Sequence, residues 1–256
     1  MYRPLNERVS HMKAVVHWFK LVMIAGLGLQ IFFVSHIGLM RFIDPPSTAF
    51  ERSQIWQIVR TQGALPWRQD WVNAEHISVN LKRAVMASED SAFLQHNGVW
   101  WDSIEKAWGR NAKAKAKIAQ RIEKSGPHAA PPAIKIVGGS TITQQLAKNL
   151  LLSGERTMVR KGQEFILTMA LEACLSKQRI MEIYLNHVEW GEGVFGAEAA
   201  AHHYFKKSAA KLTPWEAARL SVMLPRPRFF EKRPQSPYLS DRAQTIVIRM
   251  NDVVAP

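Results

Sequence analysis

The segment ASEDSAFLQHNG (87–98) places a glutamate where acid–base chemistry is readily arranged. Leu81, Val85 and Glu89 recur every four residues, so Glu89 continues the apolar stripe of one helix. Its carboxyl group therefore points toward the core or into a cleft at the core's rim. Low-dielectric surroundings disfavour the charged form and raise a carboxyl pKa toward the range useful for general acid or base work. A purely local role, capping or pairing with Arg83 or His96, fits the same residues.

A second segment, GGSTITQQLAKN (138–149), is nearly devoid of apolar side chains. Gly138 and Gly139 permit close approach of backbone to a ligand, and the helix start that follows offers unpaired N–H groups suited to an anion. Thr141, Gln144 and Lys148 fall on one helical face, with Ser140 and Asn149 at its ends. Hydroxyl, amide and ammonium in one strip suit a sugar joined to a phosphate. The glycine–lysine–hydroxyl spacing of a nucleotide P-loop is missing, and a polar helix facing water is the plainer reading. In ERTMVRKGQE (155–164), Arg156, Arg160 and Glu164 again recur every four residues. Guanidinium groups match phosphate oxygens through paired hydrogen bonds. A surface pair between Arg160 and Glu164 would contribute only about 0.3–0.5 kcal/mol.

These residues need a scaffold, and the patterning predicts a mainly α-helical one. One helix is expected over about Val79–Ser88, and a second from Thr141, with Thr-x-x-Gln as a capping box and Gly154 as its stop. A long helix is expected over roughly Thr157–Leu185 on the Leu167, Leu171, Leu175 stripe. The last is expected from TPWE (213–216), capped by Thr213 and ended by Pro225. No series of alternating strands is visible. The basic run Arg110–Lys124 reads as a mobile loop or frayed surface helix, solvated or touching an anionic membrane surface.

Before all of this, Leu21–Met40 runs without a formal charge, long enough at about 1.5 Å per residue to cross a bilayer. Arg3, Arg8, Lys13 and Lys20 against Glu7 alone predict a cytoplasmic N-terminal tail, residues 1–20, ahead of an anchor at 21–40. The run is long for a cleaved signal peptide, and no small-x-small site follows it. FIDPPST (42–48) reads as a stiff exit from the membrane. Within the 256 residues, 47% are hydrophobic and 21% charged, enough for a sizeable core, and the net charge of +13 favours an anionic partner. Zinc-finger spacing and aromatic–basic RNA motifs are missing, which argues against nucleic acid. His187, His202 and His203, with Glu198 one turn before His202, complete no metal-ligand spacing. Cys174 reads as a small core residue.

EDSAFLQHNG, GGSTITQQLAKN, RKGQE and KQRIMEIYLN (177–186) occur in an order and spacing that resemble the glycosyltransferase family 51 peptidoglycan transglycosylases. That family includes the glycosyltransferase modules of class A penicillin-binding proteins. The similarity runs from about Pro45 to Phe230, including GEGVFGAEAAAHHYFKK (191–207), and the expected domain is 45–250. Without a transpeptidase module, a monofunctional member is expected. The segment 110–135 looks longer than is usual between the first two motifs.

The resemblance implies a lysozyme-like helical lobe with a smaller lobe near the membrane. It also implies polymerisation of lipid II for the cell wall at the bacterial inner membrane, with the catalytic domain on the periplasmic side. In that reaction the GlcNAc 4-hydroxyl of lipid II attacks the MurNAc C1 of a glycan chain held by undecaprenyl pyrophosphate, forming a β-1,4 bond with inversion. By resemblance, Glu89 is the general base and Glu164 assists near the pyrophosphate. Lys148, Arg156 and Arg160 stabilise the leaving group, and Ser140, Thr141, Gln144 and Asn149 surround the donor. The family allows Mg²⁺ or Mn²⁺ at the pyrophosphate and other cell-wall synthesis proteins as partners. A lytic transglycosylase or hydrolase acting on finished glycan is the rival enzyme, but a neutral glycan gives no reason for the cations. A basic membrane-tethered scaffold is the non-enzymatic rival.

Overall fold

The computed structural model describes residues 5–64, 66–125, 139–152, 154–155 and 157–256. Gly138, Arg156 and residues 126–135 of the basic segment lie outside the described residues. The chain is mainly α-helical, as its patterning predicts. It opens on α1 (Leu5–Leu39), which contains a stretch, His11–Leu39, long and apolar enough to cross a membrane and hardly buried by the rest of the protein. Where α1 does meet the domain it uses one stripe: Gln30 and Phe33 are half-buried, Ile37 and Met40 buried. That stripe packs on α6 (Met158–Cys174), and Gln30 and Gln163 exchange two amide hydrogen bonds of 2.8 and 3.0 Å.

The proline-bearing exit behaves as its composition requires, leaving helical geometry before Pro45. Arg179 fastens it, donating to Met40 O at 2.8 Å and to the Asp44 carboxylate at 2.7 Å. Helix resumes at α2 (Ala49–Gln62), started by a capping box between Thr48 and Glu51. Glu51 is fully buried, and its other oxygen lies 2.8 Å from His187 Nδ1. His187 thus belongs to a buried polar link between α2 and α7 (Lys177–His187), while His202 pairs with Glu198.

A small sheet, β1 (Arg68–Gln69), β2 (Glu189–Gly191) and β3 (Val194–Phe195), has order β1-β3-β2, with β1 parallel and β2 antiparallel to β3. Gly193 turns β2 into β3 at φ +73°; a Cβ there would sit 1.9 Å from Pro66 O, so no other residue fits. The core is built by α3 (Val79–Glu89), α5 (Ile142–Leu151), α6, α7, α8 (Ala197–Phe205), α9 (Pro214–Met223) and α11 (Pro237–Arg249). Leu81, Val85, Leu146, Leu167, Leu171 and Ile180 are buried within it, each apolar side chain contributing roughly 1.5–3 kcal/mol.

Two expectations need correction. The long helix predicted over Thr157–Leu185 is two helices. Leu175 is extended (φ −120°, ψ 149°), and Ser176 caps α7 by accepting from Arg179 N–H. The helix from Thr141 stops at Leu151, before Gly154, where Leu152 takes extended geometry. The TPWE helix has its predicted capping box and proline and stops before Pro225; α10 (Pro227–Glu231) and α11 follow it. Of the two readings of the basic run, the helical one holds over its described part, which continues α4 (Trp101–Ser125).

Candidate active site

Glu89 ends α3, half-buried at the end of the Leu81–Val85 stripe. It opens into a cavity of about 590 Å³ whose lining also includes Ser140, Gln144, Gln145, Lys148, Arg160, Lys161 and Glu164. The carboxylate thus faces the same space as the cations. A second cavity of about 450 Å³ continues it past Gln145, Lys148 and Arg160 toward Asn149 and Glu189. A third, about 520 Å³, continues past Ser140, Gln144 and Lys161 along the apolar side of α4, at Ile104, Ala107 and Trp108. The three form one trough with Glu89 near its middle.

The electrostatics follow from these positions. Burial pushes the Glu89 carboxyl group above its ordinary value, against hydrogen bonds from Gln145 and Ser88; the Asp90 charge adds to the rise and Lys148 opposes it. Desolvation lowers the Lys148 ammonium. Arg160 and Lys161 push the same way, and Glu164 and Glu89 oppose them. Glu164, buried on α6, is held by Arg160 Nη1 at 3.1 Å and by the Lys161 ammonium. Arg160 Nε is buried without a partner. A buried guanidinium N–H in a cleft wall leaves a donor for an incoming anion.

The sequence-predicted site residues divide. Glu89, Ser140, Gln144, Lys148, Arg160 and Glu164 line the central cavity, and Asn149 lines the adjoining one. Arg156 lies outside the described residues. Thr141 is buried: its hydroxyl donates to Gly98 O at 2.5 Å and accepts from Gln144 N–H at 3.1 Å, so it starts α5 and does not line the cleft. Gln144 completes the capping box by accepting from Thr141 N–H while bordering the cavity. The segment is also less polar in effect than its composition suggests, since Thr143 and Gln144 are buried beside Leu146 and Leu150.

Other residues of the site were not singled out from sequence. Asp90, 3% exposed, accepts from Ile142 N–H at 3.0 Å and from His96 Nε2 at 2.9 Å, tying the first turn of α5 to the end of α3. Gly98 N–H donates to His96 Nδ1 at 3.2 Å, which fixes the proton on Nε2. Gly98 itself needs φ +86°, and a Cβ there would lie 2.7 Å from Thr168 Cγ2. Gln145 donates to Glu89 Oε2 at 2.9 Å and accepts from the Tyr184 hydroxyl at 3.0 Å. The signal for Asp90 was present: an acidic residue at a helix C-terminus opposes the dipole and calls for partners. Gln145 and Tyr184 gave none, because only the folded chain brings them together.

Among the described residues no group of three or more His, Cys, Asp or Glu could hold a metal ion. Glu164 is already engaged by two cations, which leaves Glu89, itself hydrogen-bonded by Gln145, as the carboxylate of the central cavity that is not ion-paired. This donor set does not fit a protein-built Mg²⁺ or Mn²⁺ cage.

A mainly helical domain here sets one half-buried carboxylate against a row of cations across a trough. A family model described as Transglycosylase matches residues 57–126 and 128–251, and the chain belongs to that family of enzymes. It is similar to the biosynthetic peptidoglycan transglycosylase of Paraburkholderia xenovorans, 48% identical over 254 residues and 98% of each chain. The protein of the same name from Paraburkholderia phytofirmans is 46% identical over 250 residues, 98% of this chain and 97% of the relative. That of Burkholderia thailandensis is 47% identical over 232 residues, 91% of this chain and 84% of the relative.

Proposed function

We propose that this chain is a peptidoglycan glycosyltransferase that polymerises lipid II into β-1,4-linked glycan with release of undecaprenyl diphosphate. The observation that carries the reading is the shared cavity of Glu89 with Lys148, Arg160 and Lys161. Glu89 takes the proton from the acceptor's 4-hydroxyl as that oxygen attacks the donor's C1 from the face opposite the leaving group. Its raised pKa keeps it basic enough to accept the proton near neutral pH. The C1–O bond to the pyrophosphate breaks as the new bond forms, inverting the configuration. Lys148 and Arg160 meet the negative charge gathering on the departing diphosphate, and the unpartnered Arg160 Nε fits that role. Glu164 holds Arg160 and Lys161 in place. Arg156, Ser140, Gln144 and Asn149 would hold the donor around these groups.

The lipid tail of such a substrate stays in the bilayer, so the enzyme has to work beside one. A single-pass α1, with its basic N-terminal side in the cytoplasm and the catalytic domain on the periplasmic side of the inner membrane, supplies that apposition. Met158, Val159, Phe165 and Ile166 expose an apolar strip on α6, the helix against which α1 packs, which suits contact with acyl chains.

The test is a polymerisation assay on lipid II with the wild-type chain and Glu89→Gln, run beside incubation with finished glycan. The expected result is glycan from lipid II, a loss of about 10²–10⁴-fold in Glu89→Gln with substrate binding retained, and no cleavage of finished glycan. Cleavage without polymerisation would establish the lytic reading instead. An unaffected Glu89→Gln would remove the glutamate from the mechanism.

A further inference from the structure

Beneath Glu89 runs a chain of two hydrogen bonds whose members lie far apart in sequence. Tyr184, 1% exposed on α7, donates its hydroxyl to Gln145 Oε1 at 3.0 Å; Gln145 Nε2 on α5 donates to Glu89 Oε2 at 2.9 Å. The two ends of the amide are not interchangeable. An ionised carboxylate only accepts, so the NH₂ group must face Glu89, which leaves the amide oxygen toward Tyr184. A phenol hydroxyl can satisfy that oxygen by donating to it. If the amide turned over, its oxygen would repel the carboxylate and welcome a protonated Glu89.

We propose that Tyr184 is a positioning residue which, by holding the Gln145 amide with its NH₂ toward Glu89, keeps that carboxyl group in its ionised, proton-accepting form. The inference rests on Glu89 being the general base and adds the device that sets its protonation.

The surroundings leave this device with a task. Glu89 is faced by Ser88 and Asp90 from α3, by Gln145 and Lys148 from α5, and by Tyr184 from α7, with Arg160, Lys161 and Glu164 of α6 across the cavity. Burial and Asp90 favour the protonated acid, whereas Gln145, Ser88 and Lys148 favour the base. Asp90 is engaged by His96 and Ile142, and Arg160 and Lys161 by Glu164; among the groups that favour the base, beside Ser88 and Lys148, Gln145 is the one whose amide Tyr184 orients. The Tyr184 hydroxyl is held far above its ordinary range by burial and by the charges of Glu89 and Asp90. It therefore stays a donor throughout the working pH range.

The experiment measures kcat/KM for lipid II against pH with the full-length chain in detergent, for wild type, Tyr184→Phe, Gln145→Met and the double variant. In Tyr184→Phe the acid limb moves to higher pH, with a deficit on the order of tenfold below the limb that closes above it. Gln145→Met moves the limb the same way, and adding Tyr184→Phe to it moves the limb no further, since Tyr184 acts through the amide. A folded Tyr184→Phe with an unmoved limb overturns the inference, as does a shift that adds to that of Gln145→Met. Should Tyr184→Phe fail to fold, Gln145→Met alone decides: an unmoved limb overturns the proposal. Glu89→Gln in the same series separates the two levels. Its retention of activity sinks the assignment of the base, whereas its inactivity beside an unmoved Tyr184→Phe limb sinks the positioning role alone.

Discussion

Asp90→Asn tests how the cleft is held together, and its cost can be worked from the contacts. The native carboxylate accepts from Ile142 N–H at 3.0 Å and from His96 Nε2–H at 2.9 Å, all three groups out of solvent. Asparagine offers one oxygen and one NH₂ in that space. If the oxygen stands at the Oδ2 position it keeps Ile142 N–H and the 3.0 Å contact to His96 Nε2, but the NH₂ then lies at the Oδ1 position 2.9 Å from that nitrogen, donor against donor. If His96 moves its proton to Nδ1 to relieve this, Gly98 N–H loses the acceptor it has at 3.2 Å. Either way one buried donor is stranded, at about 1–3 kcal/mol. Removing the negative charge loses its favourable field at the N-terminus of α5 and relieves its unfavourable one at the C-terminus of α3, each roughly 0.3–1 kcal/mol, so the two offset. The cost, about 1–3 kcal/mol, corresponds at about 2–4 °C per kcal/mol to a fall of roughly 2–12 °C in unfolding midpoint. Thermal unfolding of the full-length variant in detergent at one scan rate measures it. A midpoint within about 1 °C of wild type would refute the reasoning, because it would mean that neither donor depends on the charge.

Three further outcomes are expected. The kcat/KM–pH profile should be bell-shaped. Its acid limb lies above the ordinary carboxylate range because Glu89 loses its basic form as pH falls through a raised pKa. Its alkaline limb lies below the ordinary lysine value of 10.5, because Lys148 loses its charge as pH rises through a lowered one. An acid limb at about 4.3 would contradict the burial of Glu89. Gln30→Leu strands Gln163 between α1 and α6 and should cost about 0.6–1.7 kcal/mol in denaturation of the detergent-solubilised chain; Gln30→Leu with Gln163→Leu should recover most of it. Gly98→Ala forces a side chain to φ +86° and against Thr168, and should lower stability by about 1–3 kcal/mol in the same measurement; wild-type stability would show that the turn relaxes freely.

What could be read from residues alone follows the range of the interactions. Capping boxes at Thr141 and Thr213, and the stripe ending in Glu89, are decided within a turn or two of helix, and they stand as predicted. The break at Leu175–Ser176 was missed because the apolar period runs across it, and a serine cap inside such a pattern resembles an ordinary helical serine. Thr141 was expected at the ligand; instead its hydroxyl is spent on Gly98, a partner 43 residues away that no local pattern announces. The preference for Gln144 over Gln145 has the same origin. Thr-x-x-Gln is a local signal and correctly finds the cap, whereas the amide that meets Glu89 is chosen by the packing of α5 against α7.

The interruption at Leu175–Ser176 governs more than helix count. A continuous rod from Glu164 to Tyr184 would hold the two about 30 Å apart; the kink doubles the chain back, so that one stretch furnishes both a wall and the floor of a single trough. Inserting one alanine within α7, between Lys177 and Tyr184, would turn the rest of that helix by about 100° about its axis. It would pull Tyr184 from under Gln145 and His187 from Glu51 in one stroke, so α7 tolerates substitution far better than a change of length.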